Sequence, residues 1–141
     1  MGFVRFADKG RGHAPRASIS PSGLIGLNRG TLRKFRLDQY KYCVLYYDAD
    51  TQRIGIELTT DESAEGARSL RIRHPGGTEA SGADISAKGF LDYFDVGVTA
   101  TTVYPIVRDA DSGLLAIRLS EGKARRKRER SGKLGSGDRK P

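Results

Sequence analysis

Apolar and polar residues alternate along most of this chain, and a helical spacing interrupts the alternation at two places. A period of two predicts strands with one buried face, and short continuous apolar runs predict buried strands. Residues 29–37 and 88–96 instead carry apolar side chains three or four positions apart, which predicts two short amphipathic helices. The predicted strands cover residues 16–20, 24–27, 42–47, 53–59, 69–73, 102–108 and 114–119. The pattern therefore predicts a β-rich α+β fold.

Turn and cap residues mark the ends of these elements. Residues 21–23 (Pro-Ser-Gly) predict a turn, because proline presets one dihedral angle and glycine accepts a positive one. Asn28 and Ser86 are the predicted N-caps of the two helices, since their side-chain oxygens can accept hydrogen bonds from free amides of the first turn. A loop is expected at residues 74–82. Pro105 cannot donate a ladder hydrogen bond, which places its strand at an edge or at a bulge.

One stretch of the sequence recurs. The tetrapeptide Asp-Ala-Asp-Thr at residues 48–51 returns as Asp-Ala-Asp-Ser at residues 109–112, with an apolar run before each copy and an alternating run after it. The strand residues around the two copies are related by a shift of 61, and those of the two helices by a shift of 59. Recurrence of this kind indicates a repeated unit, here strand-strand-helix-strand-strand. Two unrelated hairpins with acidic turns remain the alternative.

The repeat and the composition together divide the chain into three parts. The C-terminal residues are basic, contain glycine and lack an apolar face, so they cannot offset the entropy of ordering. The expected parts are a flexible N-terminal segment (residues 1–15), a two-unit β-barrel domain (residues 16–119, with units at 16–60 and 69–119 and an exposed acidic connector at 61–68) and a disordered basic tail (residues 120–141).

A short motif precedes the first helix. Residues 23–28 read Gly-Leu-Ile-Gly-Leu-Asn, and the apolar end of the helix follows at Phe35 and Leu37. This arrangement resembles the AbrB/SpoVT/MraZ superfamily, in which glycine, arginine and isoleucine, then an apolar residue and a proline, precede such a helix. Leu24 stands where that family has arginine, and Asn28 where it has proline. The second unit matches more loosely, at Leu91, Phe94 and Val96.

The resemblance covers residues 16–119 and implies a swapped-hairpin barrel. In that superfamily two units close the barrel, usually from two chains but from one chain in MraZ-like proteins. It implies a monomeric pseudo-dimer or a homodimer that acts as a bacterial or archaeal transcription regulator or antitoxin. The missing arginine is a departure at the loop with which the family usually reads DNA.

The net charge of +8 is carried by the ends of the chain. Residues 121–141 hold nine Lys and Arg against three acidic residues, residues 1–20 hold four against one, and residues 21–120 hold twelve against thirteen. Basic ends on a balanced body favour electrostatic contact with nucleic-acid phosphates. No run reaches the length of a membrane helix and no signal segment opens the sequence, so we expect a cytoplasmic protein without membrane contact.

The sequence offers little catalytic chemistry. Cys43 falls in an apolar strand pattern and is expected in the core, while His13 and His74 fall in loop-like segments, which does not indicate a zinc site. The Asp-Ala-Asp segments do not continue an EF-hand pattern, and aspartate is common in hairpin turns. No phosphate loop or nucleophile motif is present. We therefore expect neither an enzyme nor a cofactor or metal.

Cations are concentrated on the first predicted helix and in the tail, whereas the second helix carries Asp92 and Asp95. No aromatic residue interleaves with the tail cations, so base stacking is not indicated. The leading hypothesis is a small DNA-binding protein that contacts phosphates, and the alternative is a non-enzymatic protein-interaction or structural module. The candidate nucleic-acid-binding residues are Arg16, Arg29, Arg33, Lys34, Arg36, Lys41, Arg125, Arg126, Lys127, Arg128 and Arg130.

Overall fold

A computed structural model describes residues 14–77 and 79–125 of the chain. Its strands are β1 (Arg16–Ile19), β2 (Leu24–Leu27), β3 (Tyr42–Asp48), β4 (Arg53–Thr59), β5 (Arg68–Ser69), β6 (Arg71–Arg73), β7 (Gly82–Ser86), β8 (Thr102–Arg108), β9 (Leu115–Arg118) and β10 (Lys123–Ala124). Its helices are α1 (Arg29–Phe35) and α2 (Lys88–Tyr93). Short 3-10 turns occupy Leu37–Gln39, Pro75–Gly77 and Leu119–Glu121. The predicted β-rich composition with two short helices is confirmed.

The strands form a nearly closed antiparallel barrel. Neighbouring strands follow the order β5-β3-β4-β9-β8-β1-β2-β7-β6, and β10 pairs with β8 outside this path. The hairpins predicted at residues 16–27, 42–59 and 102–119 are all present as antiparallel pairs. The small β-rich barrel expected from the sequence is therefore confirmed.

The barrel closes because two stretches of chain change partner along their length. β8 pairs with β1 as far as Pro105 and with β9 from Ile106 onward. β5 and β6 are the two ends of the strand order, yet only Leu70 separates them in the chain. The buried Leu70 donates its amide to the carbonyl of Lys41 at 2.9 Å. The two ends of the strand order are thus one continuous stretch of chain, which brings the barrel close to closure.

The core consists of inward-facing strand residues and one face of each helix. Leu32 and Phe35 of α1 and Phe90 and Leu91 of α2 are buried against the barrel. Each fully buried aliphatic side chain contributes roughly 1.5–3 kcal/mol relative to an exposed one. The largest fully buried apolar side chains are Ile19, Ile25, Leu27, Leu37, Cys43, Ile54, Ile56, Ile85, Leu115 and Ile117.

The start of the second helix differs from the prediction. Gly82–Ser86 form β7, which pairs with β2 and β6, so the expected loop is shorter than residues 74–82. Ser86 is the last residue of this strand, and Ala87 is the N-cap without a side-chain hydrogen bond. The carbonyl and hydroxyl of Ser86 instead accept hydrogen bonds from Arg68 (2.8 Å) and Arg71 (3.2 Å). The prediction of Ser86 as a cap is wrong because pairing with β2 extends the strand through it.

Distant parts of the chain supply pairing partners that alter two further expectations. Of the two positions predicted for Pro105, the edge strand is wrong, since β8 lies between β9 and β1; Pro105 is the last residue of β8 paired with β1. The first residues of the predicted disordered tail form a 3-10 turn and β10, which pairs with Val103 and Thr102. The remaining expectations for the ends of the chain concern residues 1–13 and 126–141, outside the described part. Neither described helix is long and apolar enough to cross a membrane.

The hairpin between β1 and β2 depends on a glycine, as predicted. Gly23 has a φ of +91°, and a Cβ atom added there would lie 2.5 Å from the Cβ of Lys88 in α2. Backbone strain and a direct steric clash therefore both oppose a side chain at this position.

We expect Gly23→Ala to lower the free energy of unfolding. Backbone strain alone costs about 1–3 kcal/mol, and the steric clash with Lys88 adds to this loss. Urea unfolding followed by circular dichroism measures the loss. Gly89→Ala is the matched control, because a Cβ atom on Gly89 would meet nothing within 4 Å. A loss from Gly23→Ala no greater than that from Gly89→Ala would contradict the close approach of this turn to α2.

Candidate nucleic-acid interface

The predicted cations separate into three places on the barrel. Arg16 and Arg125 line a common groove on the outer face of β1, β2 and β7. Arg29, Arg33, Lys34 and Arg36 lie on α1 or directly after it. Lys41 lies before β3, opposite Leu70, and is not part of the groove. Arg126, Lys127, Arg128 and Arg130 fall outside the described residues.

The groove has a volume of about 480 Å³, and its lining is mostly polar, with three arginines, but also contains Leu24, Leu27 and Val103. Gly26 forms part of its floor, and a Cβ atom there would lie 2.9 Å from the hydroxyl of Ser18. A larger residue at position 26 would therefore fill the groove. Its polar lining is formed by Arg16, Ser18, Ser20, Asn28, Arg73, Asp84, Thr101 and Arg125.

Arg73 is a groove residue that the sequence did not indicate. Its guanidinium donates to the carboxylate of Asp84 and, at 3.0 Å, to the carbonyl of Leu27. This arginine is therefore fixed by two acceptors on neighbouring strands, and its charge is balanced by Asp84. The alternating Arg71-Ile72-Arg73 pattern showed a strand, but only the pairing of β6 with β7 shows which acid Arg73 meets.

Arg125 reaches the groove because the chain returns to the barrel after β9. β10 pairs with the start of β8, and the amide of Arg125 donates to the carbonyl of Thr101 at 2.7 Å. Gly122 permits this close return, since a Cβ atom there would lie 2.2 Å from the Tyr104 ring. Arg16 and Arg125 also share the lining of a second, more open concave surface beside β8.

A polar network between β1 and α1 fixes the backbone of Arg16. The Asn28 side-chain oxygen accepts from the Thr31 amide at 2.9 Å, which confirms Asn28 as the N-cap, and from the Arg16 amide at 3.0 Å. The Asn28 side-chain nitrogen donates to the carbonyl of Ala14 at 2.8 Å. The hydroxyl of the fully buried Thr31 lies 3.0 Å from both the amide and the carbonyl of Arg16. Thr31 was not predicted to have this role.

The cations of α1 have different surroundings. Arg33 forms an exposed ion pair with Glu79 at 3.2 Å. The ammonium of Lys34 lies 5.9 Å from the centroid of the Phe35 ring, and the guanidinium of Arg108 lies 5.2 Å from it. Arg36 ends the helix with a φ of +56°. Within the described residues, Arg29, Lys34 and Arg36 have no carboxylate within ion-pair distance.

The two Asp-Ala-Asp segments are hairpin turns, as predicted, and they meet at one arginine. Asp48 accepts from the hydroxyl of Thr51 at 2.8 Å, and Asp109 accepts from that of Ser112 at 2.7 Å. The guanidinium of Arg53 lies 3.1 Å from Asp109 and 3.9 Å from Asp48. These contacts account for both aspartates as structural residues. Among the described residues, no group of three His, Cys, Asp or Glu side chains is arranged to hold a metal ion.

Cys43 is fully buried in β3, as predicted. Burial raises the pKa of its thiol to about 11, and the nearby Arg68 acts weakly in the opposite direction. At neutral pH this thiol is therefore protonated and behaves as a core side chain.

No protein-family model matches this chain, and no curated protein or solved structure matches it either. Function is therefore inferred from the residues and geometry of the chain itself.

We expect Asn28→Ala to lower the free energy of unfolding by about 1–2 kcal/mol or more, because an N-cap is lost and the Thr31 hydroxyl loses a partner inside the barrel. Thermal and urea unfolding measure the change. Asn28→Asp is the control, since it keeps the accepting oxygen, loses the donor to Ala14 and adds a negative charge that is favourable at a helix N-terminus. Equal losses from the two variants would show that the capping oxygen does not matter.

Asp109 should make stability depend on pH in the acid range. Hydrogen bonds from the hydroxyl and amide of Ser112 lower the pKa of Asp109 to about 2, and Arg53 contributes further. Because the folded-state pKa lies below the ordinary value of about 3.9, the ionised group stabilises the fold above about pH 4. That contribution is lost as the pH falls from about 4 to about 2.

Asp109→Asn should therefore lower the free energy of unfolding at pH 7, and its difference from the wild type should shrink between about pH 4 and 2. Urea unfolding at several pH values measures this difference. Asp111→Asn is the matched control, because no hydrogen bond or ion pair of the Asp111 carboxylate occurs within the described residues. A difference that does not change with pH would rule out the proposed role of the Asp109 charge.

Proposed function

We propose that this protein binds the phosphate backbone of nucleic acid, and of duplex DNA in particular, along the groove on the outer face of β1, β2 and β7. The observation that carries the proposal is the return of the chain in β10. It brings Arg125, the first residue of a basic run in the sequence, to the same groove as Arg16.

The charges and side chains of the groove support phosphate contacts rather than base stacking. Arg73 is paired with Asp84, and Arg16 and Arg125 bring two further positive charges to the same groove. The groove contains no aromatic side chain on which a base could stack. Arginines that replace counterions on a duplex give affinity that depends strongly on salt and little on sequence.

The cations of α1 extend this surface. Arg29 directly follows Asn28, which lines the groove. The exposed pair between Arg33 and Glu79 is worth only about 0–1 kcal/mol, so Arg33 can exchange Glu79 for a phosphate at little cost. Lys41 and residues 126–130 are assigned to the interface on charge alone.

We further propose that the barrel consists of two copies of one unit, as in a monomeric pseudo-dimer of the AbrB/SpoVT/MraZ type. Positive φ angles support the repeat, because they recur at the spacings found in the sequence. Gly23 is matched by Gly82 and Arg36 by Asp95, both 59 residues later, and Gln52 is matched by Gly113, 61 residues later. The three positions therefore share a positive φ with their counterparts, and the agreement is closest for Arg36 and Asp95 (+56° and +59°).

The packing of the helices supports the same interpretation. Phe35 of α1 lies under Arg108 of β8, while Phe94, after α2, packs on Tyr47 of β3 with ring centroids 4.8 Å apart. The two contacts are related by the same shifts of 59 and 61. Each helix of the proposed repeat is thus covered by a strand of the other copy, which is the exchange of elements expected in a swapped-hairpin barrel.

Under this proposal the protein is not an enzyme. A role as a regulator or antitoxin follows only from the resemblance to the AbrB/SpoVT/MraZ superfamily.

The alternative function is a protein-interaction or structural module. Its specific support is the exposure of Tyr93 (81%) and Phe94 (36%), because exposed aromatic side chains are common at protein interfaces.

Fluorescence anisotropy with a labelled duplex of about 20 base pairs, at several salt concentrations, tests DNA binding. The wild-type protein should lose affinity steeply as salt rises. Each lost phosphate contact makes the slope of log K against log salt shallower by about 0.9, so we expect the double variant Arg16→Ala/Arg125→Ala to reduce it by about 1.8.

The matched control is Arg71→Ala/Arg118→Ala, which removes the same charge from two exposed arginines outside the groove. Equal effects of the two double variants would show that net charge, and not the groove, determines binding. Absence of binding by the wild-type protein even at low salt would overturn the proposal and leave the interaction module as the better hypothesis.

A further inference from the structure

The most exposed aromatic side chain of the described barrel is Tyr93, at the end of α2. The ring of its neighbour Phe94 packs against Tyr47, Phe90 and Tyr93, with centroids 4.8, 5.2 and 4.8 Å apart. These contacts fix Phe94, while 81% of Tyr93 stays open to solvent. The ring of Tyr93 is therefore exposed at the surface, and covering it with a binding partner would be favourable.

Carboxylates frame this ring. Asp92 and Asp95 lie on either side of Tyr93 and Phe94 in the chain, and both are exposed. Lys88 pairs with Asp92 at 3.3 Å across an exposed turn of the helix, a contact of little energetic weight. We call the surface formed by Asp92, Tyr93, Phe94 and Asp95 the α2 face. Its chemistry suits a cation placed over an aromatic ring and beside carboxylates.

The aromatic ring on the other helix, α1, has different surroundings. Phe35 of α1 is 8% exposed and has the guanidinium of Arg108 and the ammonium of Lys34 near its ring. Within the described residues, no cation lies over Tyr93 or Phe94. The α2 face thus has aromatic rings but no cation near them, whereas the ring at α1 has both Arg108 and Lys34 near it.

A short stretch of chain connects the α2 face to the last described residue of the barrel. Arg125 is hydrogen-bonded to Thr101, and seven residue steps lead back from Thr101 to Phe94. Seven extended steps span at most about 25 Å. The real separation is shorter, because the amide of Val96 folds back onto the carbonyl of Leu91 at 2.8 Å. Five residues beyond Arg125 span up to about 18 Å.

We propose that the α2 face is the docking site of the basic segment at residues 126–130 of the same chain. This segment reads Arg-Lys-Arg-Glu-Arg, follows directly on Arg125 in the sequence, and carries four cations against one carboxylate. Its arginines complete at Tyr93 and Phe94 the contact that Arg108 makes at Phe35. The occupant is chosen by opposite charge, by proximity and by the length of chain that follows Arg125.

If the proposed function also holds, docking has a regulatory consequence. The same cations then serve either the α2 face or a phosphate backbone, so the α2 face competes with nucleic acid for residues 126–130. Binding of DNA would release the segment from α2, and raised salt would weaken both contacts.

Amide chemical shifts of the full-length protein test docking without reference to DNA. Arg126→Gln/Arg128→Gln/Arg130→Gln should shift the amides of residues 90–96, and about 1 M salt should produce the same shifts in the wild type by screening. The matched control, Lys133→Gln/Arg139→Gln/Lys140→Gln, removes three cations farther along the chain and should leave these amides unchanged.

Shifts that are equal for both triple variants, or that fall elsewhere on the barrel, would overturn the proposal. Shifts that vary with protein concentration would also overturn it, because they would indicate a second copy as the source of the segment.

The regulatory step is tested by DNA affinity with a variant that changes no charge. Tyr93→Ser should raise affinity severalfold because it frees the segment, whereas Tyr46→Ser, at another exposed tyrosine, should leave affinity unchanged. No rise for Tyr93→Ser would refute the competition. If the wild type binds no DNA but the amide shifts appear as expected, the proposed function fails and the docking site stands.

Discussion

A strand left unpaired along one side exposes free backbone donors and acceptors, and limiting such edges shapes the whole molecule. The chain limits them by letting two stretches serve two neighbours each. β8 divides its length between β1 and β9, and the stretch from β5 to β6 joins β3 to β7 through Leu70. Since the partners are far apart in sequence, the halves of the protein cannot be separated without breaking these ladders. Closure also leaves the outer faces, rather than sheet edges, as the surfaces available for binding.

The outer surface differs sharply between the two helices. One helix carries cations over a covered phenylalanine, and the other presents an open tyrosine between carboxylates. The surface at α1 is therefore suited to anions and the surface at α2 to cations. Under the two proposals, the basic residues 126–130 would bind either a phosphate backbone or the α2 face.

Local patterns were sufficient for most of the architecture. Alternation of apolar residues located the hairpins, and the chemistry of Gly23 and Asn28 located the turn and cap that precede α1. Failures occurred where a distant partner decided the outcome. Ser86 is a good local cap but pairs with β2, and Lys123–Ala124 has no strand pattern but adds to β8. No local signal could have anticipated either result.

The candidate groove was only partly predictable for the same reason. Arg16 and Arg125 were selected by charge, and only the pairing of β10 shows that they share a surface. Arg73 was overlooked because an alternating strand gave no indication of its contact with Asp84. Thr31 was overlooked because a small polar residue in a helix usually faces solvent, whereas here its hydroxyl meets the backbone of Arg16 inside the barrel. The cations of α1 were located correctly in the chain, but their separate neighbours depend on packing.

The burial of Cys43 has a practical consequence. Its thiol is the only one in the chain, it faces the interior between β4 and β5, and its raised pKa keeps it protonated. A thiol reagent can reach it only when the ladder around β3 opens, so the rate of its modification reports how often that ladder opens in the native protein. Cys43 is thus a built-in probe of local opening of the barrel in the native protein.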